Sequence, residues 1–110
     1  MEKTLAICGV SEKFRYQGPR YKRLGGTSGE EFRDEHLVPW LRGIRPGVRA
    51  AIDFAGTKVY GAGFLEECFG GAARASGQNK EKLAAARFLN IDPFWEGKIR
   101  AFIREAEPSA

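Results

Sequence analysis

The run Val48-Arg49-Ala50-Ala51-Ile52-Asp53-Phe54 constrains this chain more than any other segment. It is apolar and β-favouring, the turn Arg45-Pro46-Gly47 precedes it, and it reads as the central strand of a sheet. From Ala62 or Gly63 onward the apolar period becomes helical. Phe64, Leu65, Cys68, Phe69, Ala72 and Ala73 share one half of the wheel, and Glu66, Glu67 and Arg74 take the other. Gly70 and Gly71 cost such a helix about 1 kcal/mol each against Ala, which points to close packing at that spot.

The flanking segments repeat the alternation. Thr4 to Val10 reads as a first strand, and Phe14-Arg15-Tyr16 as an edge strand. Ser28-Gly29-Glu30-Glu31 has the form of a capping box, in which the hydroxyl and the carboxylate three residues on satisfy free N–H groups reciprocally. The helix it opens carries Phe32, His36, Leu37, Trp40, Leu41 and Ile44 on one half of its wheel. Arg33 snorkels from that half, and Pro39 is expected to kink or end the helix. Glu81 to Ala86 reads as a short helical turn and Arg87 to Ile91 as a strand. Asp92-Pro93 then supplies the N-cap and N1 proline of a last helix, with Trp95, Ile99, Phe102, Ile103 and Ala106 as its buried stripe. The expected architecture is α/β: a single domain over residues 1–110, with a small mixed β-sheet and helices packed mainly on one face.

Composition narrows the classes. At 110 residues there is room for one core, and 43% apolar residues with 12% aromatics exclude wholesale disorder. No apolar run approaches a membrane span, and the N-terminal residues are too briefly apolar for a signal peptide. Cys8 and Cys68 lack metal or disulfide spacing, so a cytoplasmic protein with free thiols, no metal and no cofactor is expected. The net charge of +4 permits an anionic partner without requiring one.

The stretch from Asp53-Phe54-Ala55-Gly56-Thr57-Lys58-Val59-Tyr60 through Gly61-Ala62-Gly63-Phe64-Leu65-Glu66-Glu67 to Cys68-Phe69-Gly70-Gly71 resembles the signature of the STAS-like domain family, small bacterial and phage domains of unknown function. Gly18-Pro19-Arg20-Tyr21 with Ser28-Gly29-Glu30-Glu31-Phe32-Arg33 resembles that family's other block. The family is similar in turn to STAS domains, among them anti-sigma-factor antagonists. In those, an Asp-x-x-Gly segment ends a central strand, as Asp53 to Gly56 does here, and the following helix N-terminus meets a partner kinase. The resemblance implies a non-enzymatic signalling module whose partner is a histidine-kinase-like ATPase or another signalling protein. Antagonists carry a switchable serine just before that helix. Here Ala62 and Gly63 hold the corresponding positions, and the nearest hydroxyls are Thr57 and Tyr60.

Partner-binding candidates are therefore Arg20, Tyr21, Tyr60, Gly61, Ala62, Gly63, Phe64, Glu66 and Glu67, with Asp53 as a residue near any ligand. The small residues of 60–63 could cradle an anion or simply permit a tight turn. Asp53 could border a ligand or bind the N–H groups of its own turn. An alternative function is nucleic-acid binding through the basic aromatic run Arg15, Tyr16, Arg20, Tyr21, Lys22 and Arg23, where rings would stack on bases and cations pair with phosphates. The plainer reading of that run is a solvated loop whose rings fold back on the core. His36 has no triad or metal company, and Cys68 reads as inert packing. Adjacent Glu66 and Glu67 do not face one cleft as an acid/base pair, so no enzyme is expected.

Overall fold

The computed structural model describes residues 1–108. Strands β1 (Glu2–Ala6), β2 (Arg49–Asp53) and β3 (Arg87–Leu89) form one sheet in the order β1-β2-β3. Five helices accompany it: α1 (Ile7–Val10), α2 over 29–42, α3 over 62–75, α4 (Gly77–Ala84) and α5 (Pro93–Glu105). The central strand is where the sequence places it, and the α/β class holds. The sheet is parallel throughout rather than mixed, because helical segments separate each strand from the next and return the chain to the same end.

In register, Leu5 lies opposite Ile52 and Ile52 opposite Phe88. The face they share meets the helices, and Ile52 and Phe88 are buried there. The other face carries exposed Glu2, Thr4, Ala6 and Arg49. An ion pair from Glu2 to Arg87, 2.7 Å long, spans β2 on that side and accounts for the burial of Ala51 beneath it. The helices thus pack mainly on one face, as expected. Phe54, Phe69 and Phe88 form one aromatic group of the core, and Phe14, Phe32 and Phe64 another.

Several boundaries differ from the sequence reading. The first strand stops at Ala6, whose partner Asp53 is the last residue of β2. Beyond it there is no ladder to extend, and Ile7–Val10 winds into a helical turn that buries Ile7. Phe14-Arg15-Tyr16 is not an edge strand. Glu12–Arg15 is a 3₁₀ turn capped by Ser11, and burial of Phe14 among Phe32 and Phe64 draws it inward. Only Tyr16 makes a β-bridge, to Val59. In place of a short turn at 81–86, the chain forms the eight-residue α4, capped by the Ser76 hydroxyl accepting from the Asn79 amide.

Ser28 caps α2 by accepting from the Glu31 amide at 3.0 Å. The reciprocal half of the box is absent because the Glu31 carboxylate pairs with Lys13 instead. Pro39 does not end α2. An α-helical turn (Gly29–Phe32) passes into a π turn (Arg33–Leu37) and then into a second α segment (Val38–Arg42). The Val38 amide donates to the Arg33 carbonyl five residues back, and this widened turn accommodates a proline that lacks a donor. Helix α3 is built likewise: Ala62–Leu65, a π turn Glu66–Gly70, then Gly71–Ala75. Residues 67–73 are all buried, since α3 is enclosed by α2, α5 and the sheet. The last helix starts as read, the Asp92 carboxylate accepting from the Phe94 amide at 2.8 Å.

Candidate functional site

At the end of β2 the Asp53 carboxylate accepts from the Ala55 amide and from the Asn90 side chain, both at 2.9 Å. It ties two strand ends together, so of its two readings the local structural one is realised. A turn follows, closed by the Thr57 amide on the Phe54 carbonyl, with Gly56 at a φ of 89° that favours glycine. The chain then meets the basic segment. Lys58 and Val59 amides donate to the Arg15 carbonyl, and the Gln17 amide donates to Val59. The buried Gln17 side chain accepts from the Gly61 amide at 2.9 Å. Segments 15–17 and 57–61, far apart in sequence, therefore form one surface at the C-terminal end of the sheet.

That surface is aromatic and partly open. Tyr60 stacks on Phe54, with centroids 6.2 Å apart, and on Trp95 at 5.4 Å with planes only 12° apart. Trp95 in turn meets the edge of Phe94 at 5.2 Å. Tyr16, Val59 and Phe94 remain 57%, 48% and 60% exposed. Burial holds the Tyr60 hydroxyl above its ordinary pKa, its hydrogen bond with Thr57 opposing that only in part. The Thr57 hydroxyl donates to the Phe54 carbonyl at 2.7 Å and lies 3.7 Å from the Cys8 thiol. The Thr57 hydroxyl is thus occupied within the fold.

Gly61 is the N-cap of helix α3 and offers no side-chain cap, and Ala62 is exposed while Gly61 and Gly63 are half-buried. Arg20 lies against Gly63, where a Cβ would stand 3.7 Å from that of Arg20. Two of the sequence-predicted contact residues are placed differently from expectation. Phe64 is fully buried and Glu67 is only 8% exposed, so neither presents a side chain to a partner. Glu67 turns inward because Arg33 of α2 needs a counter-ion where the two helices cross. The Arg33 guanidinium bonds both Glu67 and Asp34, the latter at 2.8 Å. Gly71 makes room for it, since a Cβ there would lie 2.9 Å from the Arg33 guanidinium. Arg33 is therefore an inter-helix tether rather than a snorkelling chain.

Glu66, half-buried, bonds Arg20 and, at 2.5 Å, Arg74. Burial disfavours its ionisation, but the hydrogen bonds and charges of Arg74 and Arg20 outweigh that and hold its carboxyl below the usual range. The Arg33 hydrogen bond, supported by Lys22, does the same for Asp34 against the opposing effect of burial. Three of the four cations of the basic run are charge-paired within the molecule, Arg15 with Glu12, Arg20 with Glu66, and Lys22 with Asp34 and Glu35, as is the neighbouring Lys13 with Glu31. Arg23 stacks over the half-buried Tyr21 ring at 5.3 Å.

His36 lies at the margin of the α2 core, against Phe14 and Phe32. Cys68 is buried, which pushes its thiol pKa far up. Among the described residues no group of three or more His, Cys, Asp or Glu side chains is placed to hold a metal, and no helix is long and apolar enough to cross a membrane. Sequence reasoning missed Val59 and Phe94 as surface residues, while Trp95 packs against the core as its helical stripe implied. Phe94 carried a usable signal, being an aromatic residue outside the apolar stripe of its own helix.

A family model described as a STAS-like domain of unknown function matches residues 28–85. No curated protein and no solved structure matches the chain.

Proposed function

The chain belongs to the family of STAS-like domains of unknown function, and from that premise we propose that it is a non-enzymatic regulatory or adaptor module. Its partner docks on the loop 57–63 and the exposed start of α3. The observation that carries this reading is the run of rings and aliphatic groups from Phe94 through Trp95 and Tyr60 to Val59 and Tyr16, left open where the central strand hands over to its helix. Exposed aromatic residues beside half-buried ones are the usual anchors of a protein interface. Arg20 and Glu66 adjoin this surface beside Gly63 and, with Tyr21, would supply polar contacts at its rim.

A histidine-kinase-like ATPase or another signalling protein is the partner class the family resemblance implies. Regulation by a phosphoserine at the helix start has no residue to act on at Ala62 or Gly63. Nucleic-acid binding through residues 14–23 has less support, because carboxylates of the same molecule already engage Arg15, Arg20 and Lys22.

Affinity capture from extract followed by mass spectrometry tests the proposal, comparing wild type with Val59→Asp/Phe94→Asp. Both side chains are exposed, so the variant keeps its circular dichroism spectrum. The expected result is a signalling protein captured by wild type and lost from the variant. Identical captures from both, or none from either, would remove this surface from consideration.

A further inference from the structure

We propose that a basic groove at the N-terminal end of the sheet, opposite the loop surface, binds an extended acidic segment of a partner protein. The groove runs between the C-terminal end of α2 and helix α4, with a volume of about 600 Å³. Through Arg42, Gln78 and Lys82 it continues into a second depression of about 300 Å³ that reaches Ser76 and Asn79. Through Ile44, Arg45 and Val48 it continues into a third that reaches Lys3. One channel thus passes around the strand entrances.

Its cations outnumber its carboxylates and form no ion pair among the described residues. Arg42 and Arg45 are exposed, and among the described residues no carboxylate lies within ion-pair distance of Arg42, Arg45, Lys82 or Lys3. The Lys82 ammonium donates to the Leu41 carbonyl at 2.7 Å, which fixes the cation at the wall and leaves two of its protons available. Glu81 is the one acidic residue lining the main channel, and Glu2, at the far end, is held by Arg87. The cations of residues 13–22, by contrast, are neutralised within the fold. The groove therefore presents positive charge in a concave setting, the arrangement that selects and steers an anionic partner.

The lining distinguishes between anionic polymers. None of the three depressions has a Phe, Tyr or Trp in its wall, so there is no platform on which bases could stack. Ile44, Pro46, Val48 and Ala85 instead supply apolar patches between the cations. Acidic side chains interspersed with aliphatic ones match that pattern.

The test uses fluorescence anisotropy with a labelled dodecapeptide of repeated Asp-Glu-Leu triplets, and an oligothymidylate of equal charge as competitor. The peptide is expected to bind saturably at low salt and to weaken as salt rises. Arg42→Glu/Arg45→Glu should lose about tenfold in affinity, and the neutralised Arg42→Gln/Arg45→Gln a smaller part of it. Neither arginine makes an internal ion pair, so both variants stay folded. The Glu variant should melt a few degrees lower, since Arg42 lies in the last turn of α2, and the Gln variant close to wild type. The Val59→Asp/Phe94→Asp variant should bind the peptide as wild type does, which separates this groove from the loop surface. Absence of saturable binding, equal affinity in the double variants, or tighter binding of the oligothymidylate would overturn the assignment.

Discussion

Two helices of this protein begin with the same pair of residues, and the structure assigns opposite consequences to the same change in each. Ser28 and Ser76 are N-caps, and Gly29 and Gly77 are the first helical residues after them. Replacing either glycine by alanine lowers the entropy of the unfolded chain and favours the helix, by about 0.5–1 kcal/mol. At Gly77 nothing lies within 4 Å of the added Cβ, so that gain survives. At Gly29 the Cβ would overlap the Phe64 carbonyl oxygen and lie 2.9 Å from the Phe64 carbonyl carbon and Cα. These are backbone atoms at the start of α3, with no rotamer through which to yield. Overpacking of this kind costs roughly 1–3 kcal/mol, which exceeds the local gain. Gly29→Ala is therefore destabilising by about 1–2 kcal/mol and Gly77→Ala stabilising by up to about 1 kcal/mol. For a chain of this size the two melting temperatures should differ by about 4–12 °C, measured by circular dichroism at 222 nm with urea midpoints as a second readout. If Gly29→Ala proves as stable as Gly77→Ala, the close approach of α2 to α3 is not what holds these helices together.

Further outcomes follow from the caps, charges and thiols. Asp92→Ala removes the acceptor of the Phe94 amide and should cost about 1 kcal/mol, read as a drop of roughly 4 °C in the same melt. Asp34 and Glu66 have pKa values lowered by folding, so the unfolded chain binds protons more readily than the folded one. Their stabilisation is complete above the unfolded carboxylate range, near pH 5, and is lost as pH falls through the folded values. The urea midpoint should accordingly be flat down to about pH 5 and fall below it, and Arg74→Gln should shallow that fall. With an aromatic disulfide reagent, one thiol should titrate rapidly in the native protein, from half-exposed Cys8. Cys68 should react only on unfolding, and rapid release from both would contradict its burial.

Much of this fold could be read from residue order alone, wherever a local signal and the tertiary requirement coincide. Val48 to Phe54, the Ser28 cap, the Asp92-Pro93 helix start and the apolar stripe of α3 are such places. The readings failed where tertiary partners decide. Whether a strand extends past Ala6 depends on where β2 ends. Whether Phe14-Arg15-Tyr16 is extended depends on an aromatic pocket built from residues 32 and 64. Glu67 looked exposed because charged residues opposite an apolar stripe ordinarily are. What turned it inward is Arg33, thirty-four positions away and itself displaced from the polar side of α2. The candidate surface was half legible: loop 60–63 was marked by its small residues, while the basic aromatic run was assigned separately to another ligand. That Tyr16 and Val59 adjoin follows from a single β-bridge, which no spacing rule announces.

The widened turn at Arg33–Leu37 links the length of this chain to its composition. Both flanks of that turn are anchored independently, Phe32 in one aromatic group of the core and Leu41 in the interior beyond, so the turn holds one residue in surplus. Deleting Glu35, an exposed member of it, would let an ordinary α-helix join the same two anchors. That helix would then carry Pro39 in its middle, with its ring against a carbonyl one turn back, at a cost of about 3 kcal/mol. A descendant or relative that has dropped the extra residue should therefore have exchanged the proline as well, and one that keeps the proline should keep the insertion.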